Sequence, residues 1–357
     1  MRGKRLKMKE NQGKEGGSQH PYRKPGTRLF KALAAITLAS ATALASTGCA
    51  PLTSAVEGVF IDEGFPALPT PEIATYVLDL SGSTYPIQQL KALGSGIEEY
   101  VSGSSLGDPF KSPKLAPKSL SIQFITQNSA NAGRISLVSA TTGIQLYDWM
   151  VNKTPNLDQA KPLWEGFMNA RSDLAFKQVD DLQACQQEAV EIFGQQGLTK
   201  AVLAQPAKLI CSDIYKTQAA LEQLREFVAN PSVPLGSDVY GAIDLAVSNL
   251  KRAEMQYPMS QKTLVLASDL IDQSPDKAFT RMVKASSSSD ELCSQAKQDV
   301  IDEYGKTLPF QDLFIVLVGQ GNSRADVELL NKVGKYWTCY FQSAGAEVIQ
   351  TTDLNNY

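Results

Sequence analysis

The chain has 357 residues, of which 43% are hydrophobic and 20% charged, a balance that describes a globular protein. Ten of its 34 basic residues but only two of its 37 acidic residues fall within residues 1–31, so the remainder has a net charge of −11. This acidic body argues against a nucleic-acid partner. The only histidine is His20 in the basic leader. If the leader is removed, the remaining protein has no histidine, which excludes His-dependent catalysis and zinc sites built on imidazole.

Residues 1–48 are predicted to be an export leader. The apolar run 32–45 is too short to cross a bilayer but has the length of a signal-peptide core. The following Ser-Thr-Gly-Cys resembles the lipobox of bacterial lipoproteins, although Ser46 stands where that family prefers Leu. The resemblance implies a lipid on Cys49 and a place at the cell membrane, on its periplasmic or extracellular side. Simple cleavage near Ala45 is the alternative.

Residues 49–72 contain four prolines and no clear hydrophobic period, which is typical of a tether. Beyond Cys49 the chain has an even number of cysteines, and an oxidising compartment permits them to form two disulfides. They are Cys185, Cys211, Cys293 and Cys339. Sequence proximity favours the pairs Cys185–Cys211 and Cys293–Cys339, and four buried free thiols are the alternative.

The next elements alternate between strand and helix. Residues 75–78 are β-branched, aromatic and apolar, which predicts a buried strand, and apolar positions three to four apart predict a helix at 87–101. Alternating apolar residues at 120–124 and a short run at 135–138 predict an antiparallel hairpin. A helix is predicted to begin at residue 144.

Residues 152–230 interrupt this alternation, because they contain no convincing strand pattern. Apolar spacing predicts a helical insertion, with Ser212 as the N-cap of its last helix and Trp164 in its core. The insertion would be clipped by Cys185–Cys211.

The remainder returns to strand–helix alternation. The apolar runs 263–267 and 314–318 predict strands buried on both faces, and 346–350 predicts a short last strand. Helices are predicted to follow Ser237-Asp238, either of which could be the cap, and to begin near residues 290 and 324. Residues 73–357 are therefore predicted to form an α/β domain with a doubly wound, mostly parallel sheet and one antiparallel edge strand.

Side-chain oxygens recur where the predicted strands end or a helix begins. They belong to Asp79, Ser81 and Ser83 in an Asp-x-Ser-x-Ser motif, to Ser237, and to Asp269. Ligands of open α/β sheets bind outside the carboxyl ends of the strands. Hydroxyls and carboxylates without thiols or imidazoles suit Mg²⁺, Mn²⁺ or Ca²⁺.

These three elements, in this order, resemble the metal-ion-dependent adhesion site of the von Willebrand factor A (vWA) domain. The resemblance implies that the Ser81 and Ser83 hydroxyls bind the cation directly. It implies that Ser237, which replaces the family's Thr, binds directly or through water, and that Asp79 and Asp269 act mostly through waters. An Asp or Glu carboxylate of a partner protein would complete the shell.

The resemblance implies a non-enzymatic, cation-dependent protein-binding module. A Mg²⁺-dependent phosphoryl-transfer or hydrolase enzyme is the rival, but the sequence has no GxxxxGK[ST] phosphate loop. A scaffold lipoprotein with a silent metal site is a third reading. Asp272 and Asp276 are interpreted as solvated loop charges.

Overall fold

A computed structural model gives the architecture of most of the chain beyond the leader. The residues that it describes are 64–79, 100–111, 115–129, 134–177, 181–194, 197–229, 237–273, 279–286, 288–318 and 326–351. The predicted leader and Cys49 lie outside these ranges, as does most of the predicted helix 87–101.

The described residues form one six-stranded sheet with the order β3-β2-β1-β4-β5-β6. The strands are β1 Glu72–Asp79, β2 Lys118–Ile125, β3 Arg134–Val138, β4 Gln261–Ala267, β5 Leu313–Val318 and β6 Glu347–Thr351. Every neighbouring pair is parallel except β2 and β3, which are antiparallel. The predicted α/β class, the mostly parallel sheet and its single antiparallel edge strand are therefore confirmed.

Helices occupy the intervals between strands. They are α1 Ala140–Lys153, α2 Leu157–Ala175, α3 Leu182–Phe193, α4 Lys200–Ala229, α5 Val239–Gln256, α6 Phe279–Ala285, α7 Ser289–Tyr304 and α8 Val327–Ser343. Helices α5 to α8 bury their apolar side chains against one face of the sheet, which includes Val77 and Ile315. The opposite face, which includes Tyr76 and Val316, packs against Ala220 and Leu224 of α4. Alternate residues of each central strand thus enter different cores, as strand geometry requires.

The predicted insertion is helical, and α2, α3 and most of α4 form a third core of their own together with α1. Trp164 lies in that core as predicted, and its indole N–H donates to the Gly107 carbonyl at 3.0 Å. The predicted cap at Ser212 is wrong, because α4 runs unbroken from Lys200 to Ala229. Packing continues across that position, since both Ile210 and Ile214 are fully buried.

A buried ion pair lies within the insertion, close to a hydrogen bond that joins the insertion to β3. Arg171 of α2 lies 2.9 Å from the Asp213 carboxylate of α4, and Thr217 donates to the Leu137 carbonyl of β3. Burial raises the pKa of Asp213 and lowers that of Arg171, while their mutual attraction opposes both changes. The buried Nε and Nη1 atoms of Arg171 have no hydrogen-bond partner among the residues that the structure describes. The Asp213 contact is therefore the main compensation for this buried cation.

The last part of the predicted tether runs along the insertion. Phe65 and Leu68 pack against the third core, and the Tyr147 hydroxyl donates to the Pro66 carbonyl at 2.7 Å. Within the part of the chain that the structure describes, none of the helices has the length and apolar character needed to span a bilayer.

Two disulfides connect helices, and both are the pairs favoured by the sequence. Cys185–Cys211 joins α3 to α4 with a Cα–Cα distance of 6.0 Å, and Cys293–Cys339 joins α7 to α8 with a distance of 5.1 Å. Both Cα separations fall within the range that a disulfide bridges. Each bond links two helices that already share a core.

We expect both disulfides in the isolated protein. Mass spectrometry of an unreduced digest should recover the peptides of Cys185 and Cys211, and those of Cys293 and Cys339, as cross-linked pairs. Replacing Cys185 and Cys211 together by Ser should lower the free energy of unfolding by about 3 kcal/mol, because the bond closes a chain separation of 26 residues. Free thiols at all four positions would contradict the pairing.

Candidate functional site

The strand order reverses between β1 and β4, the two central strands. From β1 the chain moves outward through β2 to β3, and from β4 it moves outward in the other direction through β5 to β6. In open α/β sheets such a reversal leaves a crevice at the carboxyl ends of the two strands, where ligands bind. Asp79 is the last residue of β1, and Asp269 follows the end of β4 by two residues.

The two predicted carboxylates lie at this edge and are buried. Asp79 is 0% exposed and accepts a 2.7 Å hydrogen bond from the Ser268 hydroxyl, which extends the pairing of Leu78 with Ala267. Asp269 is 1% exposed, and its Oδ1 accepts from the Ile271 amide at 3.1 Å. Burying a carboxylate is costly unless it is hydrogen-bonded or meets a cation.

Ser237 reaches the same edge from the start of α5. Its carbonyl accepts from the Gln273 amide at 2.8 Å, which ties it to the loop that follows β4. The side chain is 2% exposed, and among the described residues its buried Oγ has no hydrogen-bond partner. Most buried polar atoms are paired, so this hydroxyl requires an explanation. The other two predicted ligands, Ser81 and Ser83, lie outside the described residues.

Ser268 is a site residue that sequence reasoning missed. Its hydroxyl is fully buried, donates to Asp79 and accepts from the Leu270 amide at 2.8 Å. The signal was present, because Ser268 directly follows an apolar strand and precedes Asp269. It joins the ends of β1 and β4 and fixes the orientation of the Asp79 carboxylate.

Two aspartates hold the start of α5. Asp238 is the N-cap and accepts from the Gly241 amide at 2.8 Å, as one of the two predicted alternatives. The interpretation of Asp272 as a solvated charge is wrong, because it is 1% exposed and its Oδ2 accepts from the amides of Val239 and Tyr240. The loop after β4 folds back over the helix start and brings Asp272 there. Asp276 lies outside the described residues.

The loop after β4 also contains a strained residue. Leu270 has a φ of 57°, a conformation that is uncommon for a residue other than glycine and costs of order 1–3 kcal/mol. It persists because the Leu270 side chain is fully buried and its carbonyl accepts from the Trp337 indole at 2.8 Å. Such strain is often found at functional sites.

Two tyrosines also hold the first turn of α5. The hydroxyls of Tyr240 and Tyr336 lie 2.5 Å apart, and Tyr336 donates to the Asp299 carboxylate of α7. Burial raises the pKa values of Tyr240 and Tyr336, so both phenols are neutral hydrogen-bond donors at physiological pH. The helix that presents Ser237 is thus anchored to α7 and α8.

The described part of the site offers two carboxylates, Asp79 and Asp269, and two hydroxyls, Ser237 and Ser268. Among the described residues there is no cluster of three or more His, Cys, Asp or Glu side chains placed to hold a metal. A cation at this edge would therefore depend on hydroxyls and waters as well as carboxylates, which is the donor set that Mg²⁺ accepts. The unpartnered Ser237 hydroxyl fits such a role.

A search against known protein families finds no matching family, and a comparison with curated proteins finds no relative. The likeness to the vWA domain thus depends on the motif residues alone. Function has to be argued from the chemistry of the site, because a fold by itself does not determine function.

Proposed function

We propose that this chain is a divalent-cation-dependent protein-binding module of the vWA type, held at the outer face of a membrane by a lipid on Cys49. The single observation that supports the cation site is the Ser237 hydroxyl. It is buried, has no hydrogen-bond partner in the part of the chain that the structure describes, and lies at the strand ends where Asp79 and Asp269 also lie. A bound cation would supply the missing partner.

In this proposal the protein's own residues act by preorganisation. Asp79 and Asp269 supply negative charge, and Ser268 orients the Asp79 carboxylate. The hydroxyls of Ser81, Ser83 and Ser237 would hold the ion. With Mg²⁺ or Mn²⁺ at this site, an Asp or Glu carboxylate of the partner protein would complete the set of ligands. The partner would be bound and not chemically altered.

The cysteines support the proposed location. Four of the five cysteines of the chain lie in two disulfides, and such bonds persist in oxidising compartments outside the cytosol. The apolar run before Cys49 supports export, and the acidic body would suit a partner whose surface is basic around the carboxylate that it offers.

The proposal predicts that Ser237→Ala weakens cation binding. We expect purified protein to bind one Mn²⁺, and we expect the variant to lose at least tenfold in affinity, about 1.4 kcal/mol, because one direct ligand is removed. Electron paramagnetic resonance of free Mn²⁺ during a titration measures this affinity. Calorimetry with Mg²⁺ provides an independent value.

Ser260→Ala is the matched control. Ser260 is also a buried serine, and its hydroxyl has no partner within the described ranges. It directly precedes β4 and so lies at the opposite end of that strand. Its replacement should leave Mn²⁺ affinity unchanged. Equal affinity of wild type and Ser237→Ala would refute the role of Ser237, and the absence of Mn²⁺ binding by the wild type would refute the site.

A further inference from the structure

We propose that Asp272 is a positioning residue, which holds the Ser237 hydroxyl in place for the cation without binding it. This inference rests on the proposed cation-dependent function. Asp272 lies outside the Asp-x-Ser-x-Ser motif, and its position in the sequence did not indicate a role at the site.

Asp272 contacts the start of α5 directly. Its Oδ2 accepts from the Val239 amide at 2.9 Å and from the Tyr240 amide at 3.3 Å. The first amides of a helix have no partner within the helix, and a carboxylate there satisfies them and interacts favourably with the helix dipole. Asp238 already caps the Gly241 amide, so Asp272 completes the cap from a different loop.

Two loops hold the backbone that directly follows the Ser237 side chain. The Gln273 amide, adjacent to Asp272, donates to the Ser237 carbonyl at 2.8 Å. On the next residue, the Asp238 amide donates to the Thr126 carbonyl at 2.9 Å, and the Ser129 hydroxyl donates to the Asp238 carbonyl at 2.7 Å. The loops after β2 and β4 therefore fix the backbone from the Ser237 carbonyl to the Asp238 carbonyl.

A serine at position 237 depends more on a fixed backbone than a threonine would. A threonine at this position would have a χ1 angle restricted by its methyl group, whereas a serine has more rotamer freedom. Binding sites need their contacting groups held within about 0.5 Å of the productive geometry by surrounding packing and hydrogen bonds. With Ser237, that precision has to come from the backbone, and Asp272 supplies part of it.

The loop that contains Asp272 is itself held in place by hydrogen bonds and packing. The Trp337 indole donates to the Leu270 carbonyl, and the side chain of Leu270 is fully buried. The Ser268 hydroxyl accepts from the Leu270 amide within the same loop. Asp272 therefore reaches α5 from a fixed support, and its contacts define the position of the helix start.

The experiment compares Asp272→Ala and Asp272→Asn by Mn²⁺ titration and by hydrogen exchange of the Val239 and Tyr240 amides. We expect Asp272→Ala to lose about tenfold in Mn²⁺ affinity and to exchange these amides faster. Asn keeps an oxygen that accepts from the helix, so Asp272→Asn should retain affinity within about threefold of the wild type. If Asp272→Ala does not fold, Asp272→Ser replaces it, with the same expectation.

Asp326→Ala is the matched control, because Asp326 also accepts from two amides at a helix start, those of Glu328 and Leu329 in α8. It should leave Mn²⁺ affinity unchanged. Faster amide exchange in Asp272→Ala without a loss of Mn²⁺ affinity would overturn the inference. An equal loss of Mn²⁺ affinity in Asp272→Ala and Asp272→Asn would also overturn it, because it would indicate that the Asp272 carboxylate binds the cation directly. A wild type that binds no Mn²⁺ overturns the proposed function, and this inference with it.

Discussion

Asp213→Ala is expected to lower the free energy of unfolding by about 3–5 kcal/mol. The Arg171 side chain is fully buried, and the Asp213 carboxylate at 2.9 Å is its only ion-pair partner among the described residues. Removal of Asp213 leaves a buried cation whose remaining hydrogen-bond partner among the described residues is the Thr217 hydroxyl at 3.2 Å. An uncompensated buried charge is among the most destabilising changes that a single substitution can make.

Urea unfolding followed by circular dichroism measures this effect. Arg171→Met with Asp213→Leu removes both charges, and it should recover most of the stability that Asp213→Ala loses. Glu222→Ala is the comparison at the surface, since its pair with Arg225 on the same α4 helix is exposed, and it should cost less than about 1 kcal/mol. Similar losses for Asp213→Ala and Glu222→Ala would show that the buried Arg171–Asp213 pair contributes no more to stability than an exposed pair.

Much of the fold was predictable because buried parallel strands have a strong local signal. The runs Thr-Leu-Val-Leu-Ala and Phe-Ile-Val-Leu-Val are apolar without interruption, and the structure buries them on both faces as parts of β4 and β5. The hairpin of β2 and β3 was predictable for a different reason, since the Asn and Gly residues between two apolar runs favour a reversal of the chain.

The errors arose where tertiary contacts outweigh local preference. Ser212 is a good N-cap residue by type, but the buried side chains on either side of it continue the helix α4 through that point. Asp272 looked like a loop charge, because nothing in its neighbourhood along the chain shows that the loop folds back onto α5. Contacts between residues that are 33 positions apart cannot be read from periodicity.

In the candidate site, too, features with a local sequence signal were predictable and features set by tertiary contacts were not. The sequence located the oxygens of Asp79 and Asp269 at strand ends, because a change from apolar to polar residues marks the end of a buried strand. It did not identify Ser268 as the group that orients Asp79, since that depends on the register of β1 against β4. The lack of a partner for the Ser237 hydroxyl likewise emerges only from the packing around it.

Asp79→Ala is expected to abolish cation binding, with a loss of at least a hundredfold in Mn²⁺ affinity, about 2.7 kcal/mol. Asp79 begins the Asp-x-Ser-x-Ser motif, and its carboxylate is fully buried at the reversal of strand order. Removal of this negative charge leaves Asp269 as the only predicted carboxylate ligand. Ser83→Ala, which removes a predicted direct ligand, should have a similar effect.

Thermal unfolding with and without Mn²⁺ gives a second measurement of the same site. A cation that binds only the folded protein stabilises it by about 2.7 kcal/mol at a hundred times its dissociation constant. The wild type should show that rise in stability and lose it when EDTA is added. Asp79→Ala should show no rise, although its circular dichroism spectrum should remain that of a folded α/β protein.

Asp108→Asn is the control for removing a buried carboxylate elsewhere. Asp108 is 7% exposed and accepts from the amides of Phe110 and Lys111 in a loop that packs beside α2, away from the carboxyl ends of β1 and β4. It should retain the response to Mn²⁺. If Asp79→Ala bound Mn²⁺ as tightly as the wild type, the cation would lie elsewhere. A protein partner captured by the wild type and released by EDTA would then be bound through a cation at some other place.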